Sequence, residues 1–182
     1  AAGVISALGD KVQGVKAGDR VIAATMLGAF AEKVPVHFSQ VVPMPESMSF
    51  EEGAALTTIY GTSYHALKDR ARLKEGETVL VLGAAGGVGI ATVQLAKAMG
   101  AKVIAATHRE DKLERLRAIA KPDAAILNTG RFREQVSELT GGPLCDLVFD
   151  PVGGDVFDES TRCVTFGGKL LVIGFVAGRI PE

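Results

Sequence analysis

The rhythm of apolar and polar positions changes near residue 78. Before it, short β-branched clusters (Val4-Ile5, Val21-Ile22, Val34 and Val36) are broken by glycine and proline, the grammar of short strands and turns. The pattern predicts strands over 1–7, over 20–25 after a Gly18-Asp19-Arg20 turn, and over 29–35 continuing to Val42. So few strands bury little alone, and they read as part of a small antiparallel unit. Pro43 and Pro45 end the run. Ser49 with Glu52 three residues later is a capping box opening a helix through Ala54, Ala55 and Leu56, and a second helix is predicted over 61–71.

From Thr78 onward strand and helix patterns alternate. Strand 78–82, helix 88–99 stopped by Gly100, and strand 102–106 make a βαβ unit. Helix 111–120 places Leu113, Leu116 and Ile119 on one face, and strand 124–127 and helix 132–139 follow, the latter ended by Gly141-Gly142-Pro143. Strand 146–150, a helix around 157–164 and strand 169–173 continue the alternation. The fold class is α/β: a doubly wound parallel sheet with helices on both faces. The uncharged run from Thr78 to Ala96 is long enough to test as a membrane span, but its β-branched start and its four central glycines describe a buried strand, a turn and a helix.

Composition narrows the function. With 20 basic against 21 acidic side chains the chain offers no electrostatic footprint for nucleic acid or anionic lipid. Its 22 glycines in 182 residues exceed the usual share of about 7%, while aromatics are 5% and tryptophan is absent. Backbone geometry, more than aromatic packing, is expected to carry the function. Cys145 and Cys163 are too few for a disulfide framework and read as free thiols in a reducing cytoplasm. The sequence opens on Ala1 without an initiator methionine and stops at Pro181-Glu182, which reads as a piece of something longer.

The informative stretch is Gly83-Ala84-Ala85-Gly86-Gly87-Val88-Gly89, between a predicted buried strand and a helix. A dinucleotide pyrophosphate needs a tight turn, a backbone it can approach, and a helix N-terminus whose N–H groups and dipole face the anion. Gly86 and Gly87 permit the approach, and Gly89 permits close packing of helix on strand. The spacing is a variant, because Ala84 occupies the first glycine's place in G-x-G-x-x-G. About 20 residues on, an acidic residue at the second strand's end would bind the ribose 2′-hydroxyl of NAD, whereas a basic one suits the 2′-phosphate of NADP. Thr107 holds that position, followed by His108, Arg109 and, one turn on, Lys112, which favours NADP. The competing reading makes Arg109 and Lys112 a solvated face and lets Glu110 or Asp111 meet the ribose.

These residues, together with Gly18-Asp19-Arg20-Val21, the segment Tyr60 to Leu67, Asp146 to Gly154 and Gly167 to Phe175, resemble the zinc-independent quinone oxidoreductase (zeta-crystallin-like) branch of the medium-chain dehydrogenases/reductases. The resemblance runs essentially end to end but covers only the middle of such an enzyme. It implies residues 1–45 as part of a GroES-like catalytic domain, 46–76 as linking helices and 77–182 as an incomplete NADP-binding Rossmann domain. It further implies that Ala85, Gly86, Gly87, Val88 and Gly89 bind the pyrophosphate and that Arg109 and Lys112 hold the 2′-phosphate. Val152 and Gly153 would border the ribose and nicotinamide, Gly174 and Phe175 the carboxamide, and Thr62 the nicotinamide side. Two departures stand out. Thr129 replaces a tyrosine often found after Asn128, and Lys121-Pro122 replaces a glycine and alanine before Asp123, which is expected to distort that turn.

Zinc is not expected. Thr57 and Thr58 occupy the region where zinc-dependent relatives carry a ligand cysteine, and no cysteine precedes Cys145. His65 reads as a packed or hydrogen-bonded structural histidine, and Tyr64, the one weak catalytic candidate, competes with a helix-packing role. The resemblance implies hydride transfer from NADPH to a quinone or an α,β-unsaturated carbonyl. An enoyl reductase module of a fatty acid or polyketide synthase and a non-catalytic nucleotide-binding protein are the alternatives. At full length a homodimer is implied, and an unfinished sheet edge would favour self-association.

Overall fold

The computed structural model describes residues 1–180, so Pro181 and Glu182, the end of the expected 77–182 domain, lie outside the described residues. The chain divides into two compact units, Ala1–Gly61 and Thr62 onward. In the first, β1 (Ala2–Val4), β2 (Arg20–Ala23) and β3 (Val41–Pro43) form an antiparallel sheet in that order, with Ala2 and Val42 each opposite Ile22. The central strand buries Val21, Ile22 and Ala23. Helix α1 (Phe50–Tyr64) begins at the expected capping box, with Glu52 N–H donating to Ser49 Oγ (3.1 Å) and Ser49 N–H to Glu52 Oε2 (2.8 Å). Arg20 ties the glycine turn to this helix: its guanidinium donates to the Met48 carbonyl and lies 4.5 Å from the Phe50 ring centroid.

Two expectations fail in this region. No strand forms over 29–35, where the segment finds no ladder partner and Phe30 faces solvent, as do Met26 and Leu27 just before it; a 3-10 turn at Phe38–Gln40 leads into β3. The helices expected on either side of Gly61 are one, because α1 runs through Gly61 and continues as a π-helical turn over His65–Arg70. A mid-helix glycine costs only about 1 kcal/mol relative to alanine, too little to interrupt an otherwise supported helix.

The second unit is a parallel sheet of β4 (Thr78–Val81), β5 (Lys102–Thr107), β6 (Ala124–Leu127), β7 (Cys145–Asp150) and β8 (Val164–Val172), ordered β6-β5-β4-β7-β8. Both faces are covered, as expected. Val79, Val81, Val103 and Ala105 meet Val93 and Ala96 of α2 (Gly87–Ala98) and Leu116 and Ala120 of α3 (Leu113–Ala120). On the other face Leu80, Ile104, Ala106 and Ile126 meet Phe132 and Val136 at α4 (Arg133–Thr140) and Val156 of α5 (Gly154–Ser160). Neighbouring residues of β4 thus enter opposite cores, which is why that strand is an unbroken apolar run. The chain moves outward from β4 to β6, then returns to β7 on the other side. The order reverses between β4 and β7, the point where such sheets open a ligand crevice outside the carboxyl ends of their strands.

Boundaries shift in three places. Helix α5 starts at Gly154, not near Phe157, and ends at Ser160, leaving Val164 to begin β8. Strand β8 is longer than expected because its register slips between the pairs Cys145–Val164 and Leu147–Lys169, and Phe166 in the slipped segment is fully exposed. A 3-10 turn over Glu110–Lys112 precedes α3, whose inward residues are Leu116 and Ala120 while Ile119 is exposed. Lys121 adopts the left-handed conformation (φ +48°) at the end of α3, its N–H bonds Arg117, and Asp123 N–H reaches the Val103 carbonyl at 3.0 Å.

Candidate functional site

The site is built on the chain's exit from β4. Leu82 N–H still bonds the Phe149 carbonyl of β7 and Ala84 N–H the Ala106 carbonyl of β5, so the turn is anchored to both neighbouring strands. Gly83 between them has φ +57°, and a Cβ there would lie 3.1 Å from a Val152 methyl. Gly86 is the N-cap of α2 and no side chain caps it. Ile90 N–H is the first to close onto the Gly86 carbonyl, which leaves the N–H groups of Gly87, Val88 and Gly89 at the helix start. Gly86 and Gly87 are exposed, whereas Gly89 is buried. A Cβ on Gly89 would overlap the Gly83 carbonyl oxygen and lie 2.6 Å from the Ala84 Cα. Bare backbone, an uncapped helix start and a turn locked beneath it fit a pyrophosphate, so a dinucleotide suits the residues present.

Residues not singled out from the sequence hold this turn. The Ser63 hydroxyl donates to the Val88 carbonyl (3.1 Å), and the Thr92 hydroxyl lies 2.9 Å from Ser63 Oγ and 2.8 Å from the same carbonyl. Both side chains are buried, and they pin the first turn of α2. Thr62, next in the chain, is half-buried.

Asp150, fully buried at the end of β7, is a further residue that the sequence pattern does not mark. Its Oδ1 accepts from Val152 N–H (2.7 Å) and Gly153 N–H (3.0 Å), and Oδ2 lies 3.2 Å from the latter. Burial raises its pKa from the ordinary carboxylate value, against the pull of the Gly153 and Val152 N–H groups. The carboxylate sets the path of Val152 and Gly153. Gly153 has φ +71°, and its missing Cβ makes room for Phe175, whose Cβ would be 3.0 Å away. Gly174 lies beside Pro151, 3.2 Å from whose carbonyl oxygen a Cβ would fall. The structure therefore brings the glycine turn, Val152-Gly153 and Gly174-Phe175 together at the carboxyl ends of β4, β7 and β8. Tyr64 ends α1 half-exposed (48%), and His65 Nδ1 pairs with Asp69 at 2.8 Å, both side chains exposed.

The corner after β5 is built differently. Thr107 is buried and its Oγ1 accepts the Arg109 N–H at 3.3 Å. The Arg109 side chain, half-exposed, forms a two-pronged ion pair with Asp111: Nε to Oδ1 at 2.9 Å and one terminal nitrogen to Oδ2 at 2.5 Å. The hydrogen-bonded carboxylate raises the arginine pKa, and the guanidinium lowers that of Asp111. Lys112 has no ion-pair partner among the described residues.

Cys145 and Cys163 are free, buried, and pushed up to about 12 by burial, so both are protonated thiols at neutral pH. Among the described residues no cluster of three or more His, Cys, Asp or Glu could hold a metal, and no helix is long and apolar enough to cross a membrane.

Residues 87–181 match the family described as zinc-binding dehydrogenase. Over 182 residues the chain is 37% identical to a quinone oxidoreductase-like protein 2 homolog of Nematostella vectensis, covering 99% of this chain and 50% of that protein. Among solved structures, Escherichia coli quinone oxidoreductase complexed with NADPH superposes with a TM-score of 0.90 at 32% identity, over 100% of this chain and 56% of that one. CurK enoyl reductase does so with a TM-score of 0.90 at 32% identity, over 100% and 54%. The chain spans about half the length of the curated relatives it matches. With its parallel sheet, its uncapped glycine turn and these matches, the chain belongs to the medium-chain dehydrogenase/reductase superfamily, in its quinone oxidoreductase branch.

Proposed function

We propose that this chain supplies the NADPH-binding part of a zinc-independent reductase that delivers hydride to a quinone or an α,β-unsaturated carbonyl. The observation that carries the reading is the uncapped N-terminus of α2 behind the Gly83–Gly89 turn, at the point where the strand order reverses. The likeness to a quinone oxidoreductase complexed with NADPH supports the choice of cofactor. In this reading Ala85 to Gly89 face the pyrophosphate, and Arg109 and Lys112 face the 2′-phosphate beside Thr107. Val152, Gly153, Gly174, Phe175 and Thr62 frame the nicotinamide end. Residues 1–45 are read as part of a GroES-like catalytic domain and 46–76 as linking helices.

When bound, the nicotinamide supplies a hydride, and the acceptor takes that hydride and a proton. The chain's own part is orientation. Asp150 fixes the backbone of Val152 and Gly153, which would border the nicotinamide end, and Ser63 and Thr92 fix the first turn of α2, which would hold the pyrophosphate. Tyr64 is the candidate donor to the acceptor's oxygen, tested by Y64F.

Titration of NADPH and NADH by cofactor fluorescence, followed by NADPH oxidation with a panel of quinones and enones, tests the reading. Saturable NADPH binding and turnover in full-length protein are expected. Tight binding without turnover across the panel would reject the enzyme reading. The resemblance to CurK enoyl reductase favours one alternative, a reductase acting on enoyl thioesters. Activity on an enoyl thioester with none on quinones would select it.

A further inference from the structure

The residue expected to greet the 2′-phosphate is already engaged. Arg109 presents one full edge of its fork, Nε and a terminal nitrogen, to the Asp111 carboxylate. Its backbone is held by Thr107, so the pair is placed and not free to wander along the loop. Both side chains are about half-exposed, 50% and 60%, and therefore open to a ligand. The charges of the corner, Arg109 and Lys112 against Glu110 and Asp111, cancel when His108 is neutral. A guanidinium has five N–H donors, and this pairing leaves the other edge of the fork unused. A phosphate bound there gains Arg109 and Lys112 but sits near the Asp111 carboxylate, which repels it. A ribose 2′-hydroxyl, in contrast, can donate its hydrogen to that same carboxylate.

Resting on the dinucleotide reading above, we propose that Asp111 is a specificity-determining residue that blunts the preference for the 2′-phosphate, so that the affinity gap between NADPH and NADH is narrowed. Arg109 serves the phosphorylated ribose and Asp111 the unphosphorylated one, each partly neutralising the other's discrimination. An exposed ion pair is weak and screened by salt, so the effect on selectivity is modest, about two- to fivefold in relative affinity.

The test measures equilibrium binding of NADPH and of NADH to wild type, D111N, D111S and R109Q by calorimetry or cofactor fluorescence, at low and high salt. Melting curves confirm that each variant is folded. D111N and D111S are expected to tighten NADPH and weaken NADH, raising the affinity ratio two- to fivefold, with the gain shrinking as salt rises. R109Q is expected to shift the ratio toward NADH. A ratio unchanged or lowered in both Asp111 variants, while wild type still binds dinucleotide, overturns the proposal alone. Failure of wild type to bind either dinucleotide overturns the nucleotide reading and the proposal with it.

Discussion

The glycine turn after β4 and the charged corner after β5 are adjacent in the sheet, yet they are made of opposite materials. The first is backbone: Gly83 in a left-handed conformation, Ala84 tied to β5, and Gly89 pressed against both. The second is side chain: an exposed arginine and aspartate facing each other and a lysine beside them. A pyrophosphate is common to all dinucleotides, and the part of the chain that suits it is locked into two cores. A 2′-phosphate distinguishes one dinucleotide from another, and the groups that would sense it are solvated and easily exchanged. In the proposed reading, shared chemistry would sit on rigid backbone and selective chemistry on adjustable charge.

The sharpest way to break that contrast is at Gly89. In G89A the new methyl meets backbone atoms of Gly83 and Ala84, which the neighbouring strands hold in place. Overpacking of this kind costs about 3 kcal/mol or more when nothing can yield. Urea denaturation should show that loss, and dinucleotide binding should disappear with it. Gly86 separates the two roles. Its φ of −85° suits any residue, and a Cβ would lie 3.4 Å from the Gly83 oxygen, so G86A should change stability by less than about 1 kcal/mol. It should nevertheless weaken dinucleotide binding, because in the proposed reading the added methyl would stand where the pyrophosphate approaches. A G86A variant that binds like wild type would remove the close-approach argument.

Asp150 extends the rigid side of the comparison and carries the next largest effect. D150A strands the buried Gly153 N–H and the Val152 N–H, at a cost of about 2 kcal/mol, while D150N keeps an acceptor for them. The pH dependence has a definite sign. A carboxyl whose folded pKa is raised stabilises fully below its unfolded value of about 3.9 and loses that contribution as pH rises through the folded pKa. D150N should therefore gain on wild type as pH increases from about 4, measured as the difference in unfolding free energy. A constant difference across that range would show that the carboxyl titrates as it does in the unfolded chain.

What could be read from the sequence follows the same division. The β4 run, the glycine turn and the Ser49-Glu52 cap are local patterns, and the structure reproduces them with only one- or two-residue shifts at the ends. The start of α5 lies earlier than periodicity places it because it depends on Asp150 reaching forward to Gly153 and on a glycine with positive φ, neither visible as hydrophobic periodicity. The slip in β8 depends on its partner β7, and the Ser63–Thr92 contact joins residues 29 positions apart. Residue type and position alone make Arg109 and Asp111 rivals for one ribose. Their ion pair joins Arg109, the extended residue just before the 3-10 turn, to Asp111 within it, a contact that hydrophobic periodicity does not mark.

Lys121 shows what a glycine is worth when conformation alone asks for it. At Gly89 the demand comes from contact, and no other residue fits. At Lys121 the backbone is left-handed, but the side chain is exposed and meets nothing that must move. A lysine there costs roughly 1 kcal/mol, the penalty of a left-handed L-residue, which a well-packed unit tolerates. K121G should recover most of it, less the extra entropy a glycine adds to the unfolded chain, for a net gain of about 0.5 kcal/mol in unfolding free energy. Dinucleotide affinity should not change, because Lys121 ends α3 at the opposite end from the residues that follow β5. A glycine introduced at 121 and a glycine removed at 89 would then move stability in the same unit in opposite directions, with only the removal reaching the ligand.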